Sequence, residues 1–259
     1  MLDGGAIGVA MRGERTAATP ILFLHGIGSD KSVWAPQLAH FGEQRLAVAL
    51  DYPGYGESVL RPSASRDDFA AAMFEALDTL GIERAHICGL SLGGIVAIAM
   101  HDRAPHRCAS LILADSFAVH PEGQAIYARS LDASRTMPMR ELASARAPLL
   151  LGTRAAKALH DEVIETMAAI DPVAYRLGAA AVWLADQRAR ATAIRLPTLI
   201  LVGEEDRITP PALSAELAKL IGGARLEHIA GAGHLANIEQ PDRFNRTLDD
   251  FLATCGECA

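Results

Sequence analysis

The sequence lacks the features that would assign it to a membrane, a nucleic acid or a fibrous assembly. Its 259 residues contain no run of 18 or more apolar residues, which a membrane-spanning helix requires. The net charge is −7 and no block of Lys and Arg is present, which argues against nucleic acid or an anionic membrane surface as a partner. No internal repeat or low-complexity linker interrupts the chain.

The first residues also lack the pattern of a secretory signal. The segment MLDGGAIGVAMRGER has no charged start followed by an apolar stretch, so we expect a cytoplasmic protein. Half of the residues are hydrophobic and the charge is moderate, as in ordinary globular proteins. A chain of this length is expected to form one large domain, or a domain with a sizeable insertion.

Cysteine is scarce, and the four cysteines do not have the spacing of a complete metal site. Cys88 and Cys108 lie in apolar, strand-like segments, where free cysteine is usually a small core residue. Cys255 and Cys258 have the spacing of a redox or metal pair, but no second pair of ligands lies nearby. We therefore expect a tail without special chemistry. The motifs described below imply no metal ion and no organic cofactor either.

Short apolar runs alternate with helical patterns along most of the chain. Runs typical of buried strands occur at 20–26, 45–54, 85–90, 108–116, 197–206 and 224–234. Helical spacing of apolar residues occurs at 67–81, 92–105, 211–222 and 241–255. Strands separated by helices pair in parallel through right-handed crossovers. The sequence therefore predicts an α/β fold with a doubly wound, mostly parallel sheet.

The alternation stops in the middle of the chain. Between about residues 117 and 192 there is no strand candidate, and prolines punctuate stretches rich in Ala, Leu, Arg and Glu. We expect three or four short helices here that form an inserted cap. The predicted organisation is a core made of residues 1–116 and 193–259, with a helical cap at 117–192.

One junction between a strand and a helix carries an unusual serine. Ser91 stands in Gly89-Leu90-Ser91-Leu92-Gly93, a G-x-S-x-G pattern in which the turn is too tight for side chains beside the serine. The following helix directs its N-terminal N–H groups towards the place where an oxyanion would form. This position predicts an exposed, strained nucleophile rather than a structural turn.

A serine hydroxyl at neutral pH needs a base, and the base needs an orienting carboxylate. His234, in a glycine-rich loop after the last strand, is the candidate base. Asp206 ends the preceding strand and is the preferred acid. Asp115, at the end of another strand, is a rival, and Glu204 and Glu205 can in principle substitute.

The loop after the first buried strand is a candidate for the oxyanion hole. In LHGIGSD, the backbone can turn to face Ser91, so that the N–H groups of Ile27 and Leu92 would supply two donors. We expect His25 to anchor this loop by hydrogen bonding rather than to transfer a proton.

Five motifs together carry a resemblance to a known family. LHGIGSD, DYPGYGES, GLSLGG, VGEEDRITP and GAGHLANIEQP follow one another in the order found in the α/β-hydrolase superfamily, which the chain resembles over essentially its whole length. ILFLHGIGSDKSVWAPQL and AHICGLSLGG look most like the 3-oxoadipate enol-lactonase and small esterase branch. The resemblance implies these roles: nucleophile Ser91, acid Asp206, base His234, and oxyanion donors Ile27 and Leu92.

The resemblance implies hydrolysis of a small carboxylic ester or lactone through an acyl-enzyme. Trp34 and Trp183 are expected to line the substrate pocket. The enol-lactonase interpretation also requires a cation for a substrate carboxylate, and the sequence does not select among Arg129, Arg135, Arg140, Arg146, Arg154 and Arg176 of the cap.

Three alternatives stay open at this point. The same triad serves cofactor-free perhydrolases and carbon–carbon bond hydrolases, although the loop after Gly26 lacks the Gly-Pro-Gly of many of the latter. A non-catalytic ligand-binding protein of the same fold is the third. A serine at position 91, where an aspartate would be needed, argues against epoxide and haloalkane hydrolases.

Overall fold

The computed structural model describes residues 6–61 and 64–256, and within them seven strands form one sheet. The strands are β1 (Val9–Arg12), β2 (Ile21–Leu24), β3 (Ala47–Leu50), β4 (Ala85–Leu90), β5 (Cys108–Ala114), β6 (Thr198–Gly203) and β7 (Arg225–Ile229). Their order is β1-β3-β2-β4-β5-β6-β7, and β1 alone runs antiparallel to its neighbour. The doubly wound, mostly parallel sheet predicted from the sequence is confirmed.

The helices connect the strands and cover the sheet. They are α1 (Ala35–Phe41), α2 (Arg66–Thr79), α3 (Leu92–Arg103), α4 (Gly123–Thr136), α5 (Met139–Leu150), α6 (Lys157–Ala168), α7 (Pro172–Trp183), α8 (Arg188–Ala193), α9 (Pro211–Leu220), α10 (Ala236–Glu239) and α11 (Pro241–Thr254). Ser65 begins α2 with a capping box, in which its hydroxyl accepts from the Asp68 N–H and the Asp68 carboxylate accepts from the Ser65 N–H.

Two apolar cores lie on opposite faces of the sheet. Because side chains alternate along a strand, Leu22 and Leu24 of β2 join one core with α2 and α3, whereas Ile21 and Phe23 join the other with α1 and α11. Helices on both faces explain why every residue of β2 to β6 is buried and why most of these residues are apolar.

Five helices, α4 to α8, lie between β5 and β6, where the sequence predicted three or four. A single bridge between Val119 and Asp186 joins the two ends of this segment. The prolines do not all separate helices: Pro172 begins α7, but Pro148 lies inside the last turn of α5. The boundaries 117–192 for a cap stay a prediction, and α8 extends one residue beyond them.

The structure describes three of the four cysteines. Cys88 and Cys108 are buried and unpaired, as expected of core residues. Cys255 follows α11 and is partly buried, whereas Cys258 lies outside the described residues.

None of the helices in residues 6–61 and 64–256 combines the length and apolar character needed to cross a membrane.

Candidate active site

Ser91 stands in a strained turn between β4 and α3. Its φ of 55° is in a region that L residues rarely adopt, as expected of a strained turn, but its side chain is buried and not exposed as predicted. A Cβ on Gly89 would lie 2.1 Å from the carbonyl oxygen of Gly93, and a Cβ on Gly93 would lie 2.2 Å from that of Leu24. The two glycines therefore allow strand, turn and helix to approach closely enough to hold the serine at the apex.

His234 and Asp206 are joined by a buried hydrogen bond. The Nδ1 of His234 lies 2.8 Å from Oδ2 of Asp206, and both side chains are almost completely buried. The hydroxyl of Thr209 donates to the same oxygen at 2.7 Å, while the backbone N–H groups of Ile208 and Thr209 donate to Oδ1 at 2.8 and 2.9 Å. This network fixes both the position and the orientation of the carboxylate.

The hydrogen bonds also decide the charge of Asp206. Burial acts to raise its pKa, but the attraction of His234 and the bonds from His234 and Thr209 outweigh it. The pKa of Asp206 is therefore below its ordinary value, and the group is ionised at neutral pH.

Asp115, the rival acid, lies beside this pair but is bound elsewhere. Its Oδ1 accepts the N–H of Gly203 at 2.8 Å. Burial, followed by the charge of Asp206, raises the pKa of Asp115 well above its ordinary value and so favours the neutral carboxyl. Of the two glutamates, Glu204 is exposed and Glu205 accepts the N–H of Thr153 at 2.7 Å. The geometry thus favours Asp206 as the partner of the imidazole.

Ser91 and His234 line the same narrow cavity of about 20 Å³, which has room for about one water molecule. In the described part of the chain, no group forms a hydrogen bond with Oγ of Ser91. Contacts between a serine and its base are often loose before substrate binds.

The loop after β2 lies against the serine. A Cβ on Gly26 would be 3.5 Å from the Cβ of Ser91, and Ile27 lines the narrow cavity. His25 donates from Nδ1 to the carbonyl of Gly26 at 2.8 Å and accepts the N–H of Tyr52 at Nε2. Burial lowers the pKa of His25, so the neutral ring anchors this loop, as the sequence predicted.

Both expected oxyanion donors have a free backbone N–H. Across residues 6–61 and 64–256, no acceptor binds the N–H of Ile27 or that of Leu92, the first residue of α3. Such unpaired groups at a helix N-terminus and an adjoining loop can bind a negatively charged oxygen.

The structure separates the two tryptophans that were expected to line the pocket. Trp183 borders the narrow cavity and a wider one of about 580 Å³, and it stacks on Phe117 with ring centroids 5.9 Å apart. Trp34 is completely buried, stacks on Phe23 at 4.9 Å and borders neither cavity. The geometry gives Trp34 a packing role beneath the sheet rather than contact with a substrate.

The structure shows two further residues, Thr209 and Glu239, that hold the catalytic groups in place and that sequence reasoning missed. Thr209 has a local signal, because an aspartate typically forms an Asx turn with the backbone two residues on, here the N–H of Ile208, and Thr209 directly follows that turn. Glu239 has none: its carboxylate accepts the N–H of Gly233 at 2.8 Å and that of Gly152 at 2.7 Å. It therefore ties the loop before His234 to the segment after α5, which is distant in sequence.

The only group of potential metal ligands found among the described residues includes the hydrogen-bonded pair His234 and Asp206. Among the described residues, potential ligand atoms of Asp115, Asp206 and His234 all lie within 4.8 Å of one another. A cation there would replace the hydrogen bond between His234 and Asp206, so the group fits a proton-transfer network better than a metal centre.

A strained serine at the end of a central parallel strand, with a buried His–Asp pair beside it, defines a class of hydrolases built on an α/β sheet. Residues 21–247 match the model of the alpha/beta hydrolase family, and the chain belongs to this family.

Two curated relatives and one solved structure are enzymes that the chain matches over nearly their whole length. The chain is 28% identical to 3-oxoadipate enol-lactonase 1 of Acinetobacter baylyi, over 96% of this chain and 94% of the relative. It is 29% identical to 2-hydroxymuconate semialdehyde hydrolase of a Pseudomonas strain, over 94% and 90%. It also superimposes on the enol-lactonase of Burkholderia xenovorans with a TM-score of 0.90 and 28% identity, over 97% and 98%.

These comparisons support a hydrolase and agree with the expected enol-lactonase and esterase branch.

Proposed function

We propose that this protein is a serine hydrolase that cleaves a carboxylic ester or lactone of a small substrate through an acyl-enzyme on Ser91. The observation that carries the proposal is the buried hydrogen bond between His234 and Asp206, at 2.8 Å, beside a serine held at positive φ. The similarity to enol-lactonases supports the choice of ester or lactone substrates.

The hydrogen bond assigns the role of each ring nitrogen. Because Nδ1 of His234 donates to the ionised Asp206, Nε2 carries the lone pair that takes the proton of Ser91. The serine oxygen then attacks the carbonyl carbon, and Asp206 stabilises the imidazolium that forms. The imidazolium protonates the leaving alcohol, and a water activated by the same base releases the acid.

The tetrahedral intermediate carries a negative oxygen that needs donors. The N–H groups of Ile27 and Leu92 are the proposed oxyanion hole, and each such donor lowers the barrier by about 3 kcal/mol. Both belong to the backbone, so substitution of their side chains leaves the donors in place.

Replacement of the nucleophile tests the proposal. Ser91→Ala keeps a Cβ at the strained position, so the backbone strain is unchanged and the protein is expected to fold. Hydrolysis of p-nitrophenyl butyrate should fall about 10⁶-fold. Ser144→Ala, which removes an exposed hydroxyl on α5, is the matched control and should retain full activity.

A fluorophosphonate probe separates this proposal from a ligand-binding protein of the same fold. The wild type should be labelled and Ser91→Ala should not. Turnover that survives in Ser91→Ala, with a normal melting temperature, would refute the acyl-enzyme.

The similarity to 2-hydroxymuconate semialdehyde hydrolase supports a second candidate, a carbon–carbon bond hydrolase that uses the same three residues. Single-turnover assays with a vinylogous diketone and with an ester distinguish the two functions. We expect the ester to have the larger kcat/KM. A perhydrolase is tested in the same way, by comparing ester hydrolysis with the formation of a peracid.

A further inference from the structure

Two cavities meet at the site and share three lining residues. The narrow cavity contains Ser91 and His234, whereas the wider one, of about 580 Å³, opens beneath α4 and α5. Arg146, Trp183 and Ile208 border both of them. A molecule that occupies the wide cavity and reaches the serine must pass this junction.

The wide cavity is positively charged in a protein that is negatively charged as a whole. Three arginines line it, Arg129, Arg146 and Arg207, against a single acid, Glu122. The net charge of its lining is therefore about +2, whereas that of the whole chain is −7. The rest of the wall is mainly apolar and includes Ile126, Leu142, Leu149, Trp183, Ile208 and Leu213. A cavity of this kind fits an apolar molecule with one negative group.

The three arginines differ in their partners. Arg129 lies 4.0 Å from Glu122, and Arg207 donates to the carbonyl oxygens of Pro148 and Leu151. Arg146 is partly buried, and no ion pair or hydrogen bond to its guanidinium is present among residues 6–61 and 64–256. The guanidinium of Arg146 therefore lines both cavities without a partner from the described residues, so its donors are available to a ligand.

The position of Arg146 is fixed relative to the catalytic residues. It lies one turn before Leu150, the last residue of α5, and the carbonyl oxygen of Leu150 accepts the N–H of His234 at 2.8 Å. The bond from Gly152 to Glu239 ties the following segment to the same loop. The helix that carries Arg146 is thus attached to the loop that carries the base.

We propose that the ester or lactone cleaved at Ser91 carries a carboxylate, and that Arg146 binds this carboxylate at the junction of the two cavities. This inference rests on the proposed serine hydrolase function. A planar guanidinium can form two parallel hydrogen bonds to a carboxylate, which gives orientation as well as binding energy. The carboxylate thereby places the carbonyl carbon at the serine, and neutral analogues lose this contact.

Matched pairs of esters test the inference. Mono-p-nitrophenyl adipate and p-nitrophenyl hexanoate differ by a carboxylate on the acyl side, and 4-acetoxybenzoate and its methyl ester differ by one on the leaving group. The readout is the ratio of kcat/KM for the anionic over the neutral ester, which does not depend on the fraction of folded enzyme. In Arg146→Gln, the ratio of one pair should fall about 10- to 100-fold, as expected for the loss of a hydrogen bond to a charged group.

Two further variants complete the test. Arg146→Lys keeps the charge but loses the planar fork, so its ratio should lie between those of wild type and Arg146→Gln. Arg140→Gln, on the same helix, removes an exposed arginine that is paired with Glu165 and should leave both ratios unchanged. The pair that responds shows which side of the scissile bond carries the carboxylate.

Ratios in Arg146→Gln that match those of Arg140→Gln, with hydrolysis still dependent on Ser91, would overturn this inference alone. Turnover that does not depend on Ser91 would overturn the proposed function, and the inference with it.

Discussion

Replacement of Asp206 by Asn removes one charge and, in this structure, forces the histidine into the wrong tautomer. Oδ1 of Asp206 accepts two backbone N–H groups, from Ile208 and Thr209, so the amide oxygen of the variant will take that place. The amide nitrogen then occupies the position of Oδ2 and faces Nδ1 of His234. A donor there binds the imidazole that has Nδ1 unprotonated, and Nε2 would then carry the proton and could not accept one from Ser91.

The expected loss is large because both the tautomer and the charge are wrong. The same substitution in a Ser-His-Asp triad lowers kcat about 10⁴-fold. This loss corresponds to about 5 kcal/mol of transition-state stabilisation, at 1.36 kcal/mol for each factor of ten. Asp206→Asn should therefore retain about one ten-thousandth of the wild-type kcat for p-nitrophenyl butyrate at pH 7.5.

Asp115→Asn is the comparison that makes this prediction specific. Burial and the charge of Asp206 raise the pKa of Asp115 and so favour its neutral form, which an amide resembles, and an amide oxygen can still accept the N–H of Gly203. The variant should therefore keep kcat within about threefold of wild type, as for a substitution worth about 0.5 kcal/mol. The assay is steady-state hydrolysis by both variants, with melting temperatures measured alongside. If Asp115→Asn loses more activity than Asp206→Asn, the assignment of the acid is wrong.

Two further predictions concern stability. Gly89→Ala should lower the free energy of unfolding by at least about 2 kcal/mol in urea denaturation, because its Cβ would lie 2.1 Å from the oxygen of Gly93. Gly222→Ala, with open space around its Cβ, is the control, and equal losses would contradict the reasoning. His86 has a pKa lowered to about 4, mainly by burial. The unfolded state therefore binds up to one more proton at this residue between pH 6.5 and 4, and His86 alone should contribute a loss of about 3 kcal/mol on acidification through this range. His86→Gln should flatten the decline, whereas the exposed His228→Gln should not.

The order of strands and helices could be predicted because it depends on local patterns. The helix expected at 67–81 is observed at Arg66–Thr79, and the capping box of Ser65 and Asp68 is visible in the sequence. The segment between β5 and β6 was harder, because its helices bury fewer residues and Pro148 lies inside α5 rather than between helices. A proline in the last turn is not distinguishable from a helix boundary by sequence alone.

The candidate triad could be proposed because each of its members follows a strand. The carboxyl ends of parallel strands meet at one edge of the sheet, so the positions of Ser91, Asp206 and His234 along the chain already place them together. The sequence also supplied the glycines without which the turn around Ser91 cannot form.

Which carboxylate faces the imidazole was decided only by the tertiary structure. Asp115 and Asp206 both follow the ends of strands, and what distinguishes them is the set of donors around each carboxylate. The same is true of Trp34, which packs in the core, and of Arg146, which borders both cavities while other cap arginines do not. Local patterns determine which segments form strands and helices and where those segments end. Burial, charge pairing and the lining of a cavity depend on residues distant in sequence, and only the folded chain brings those together.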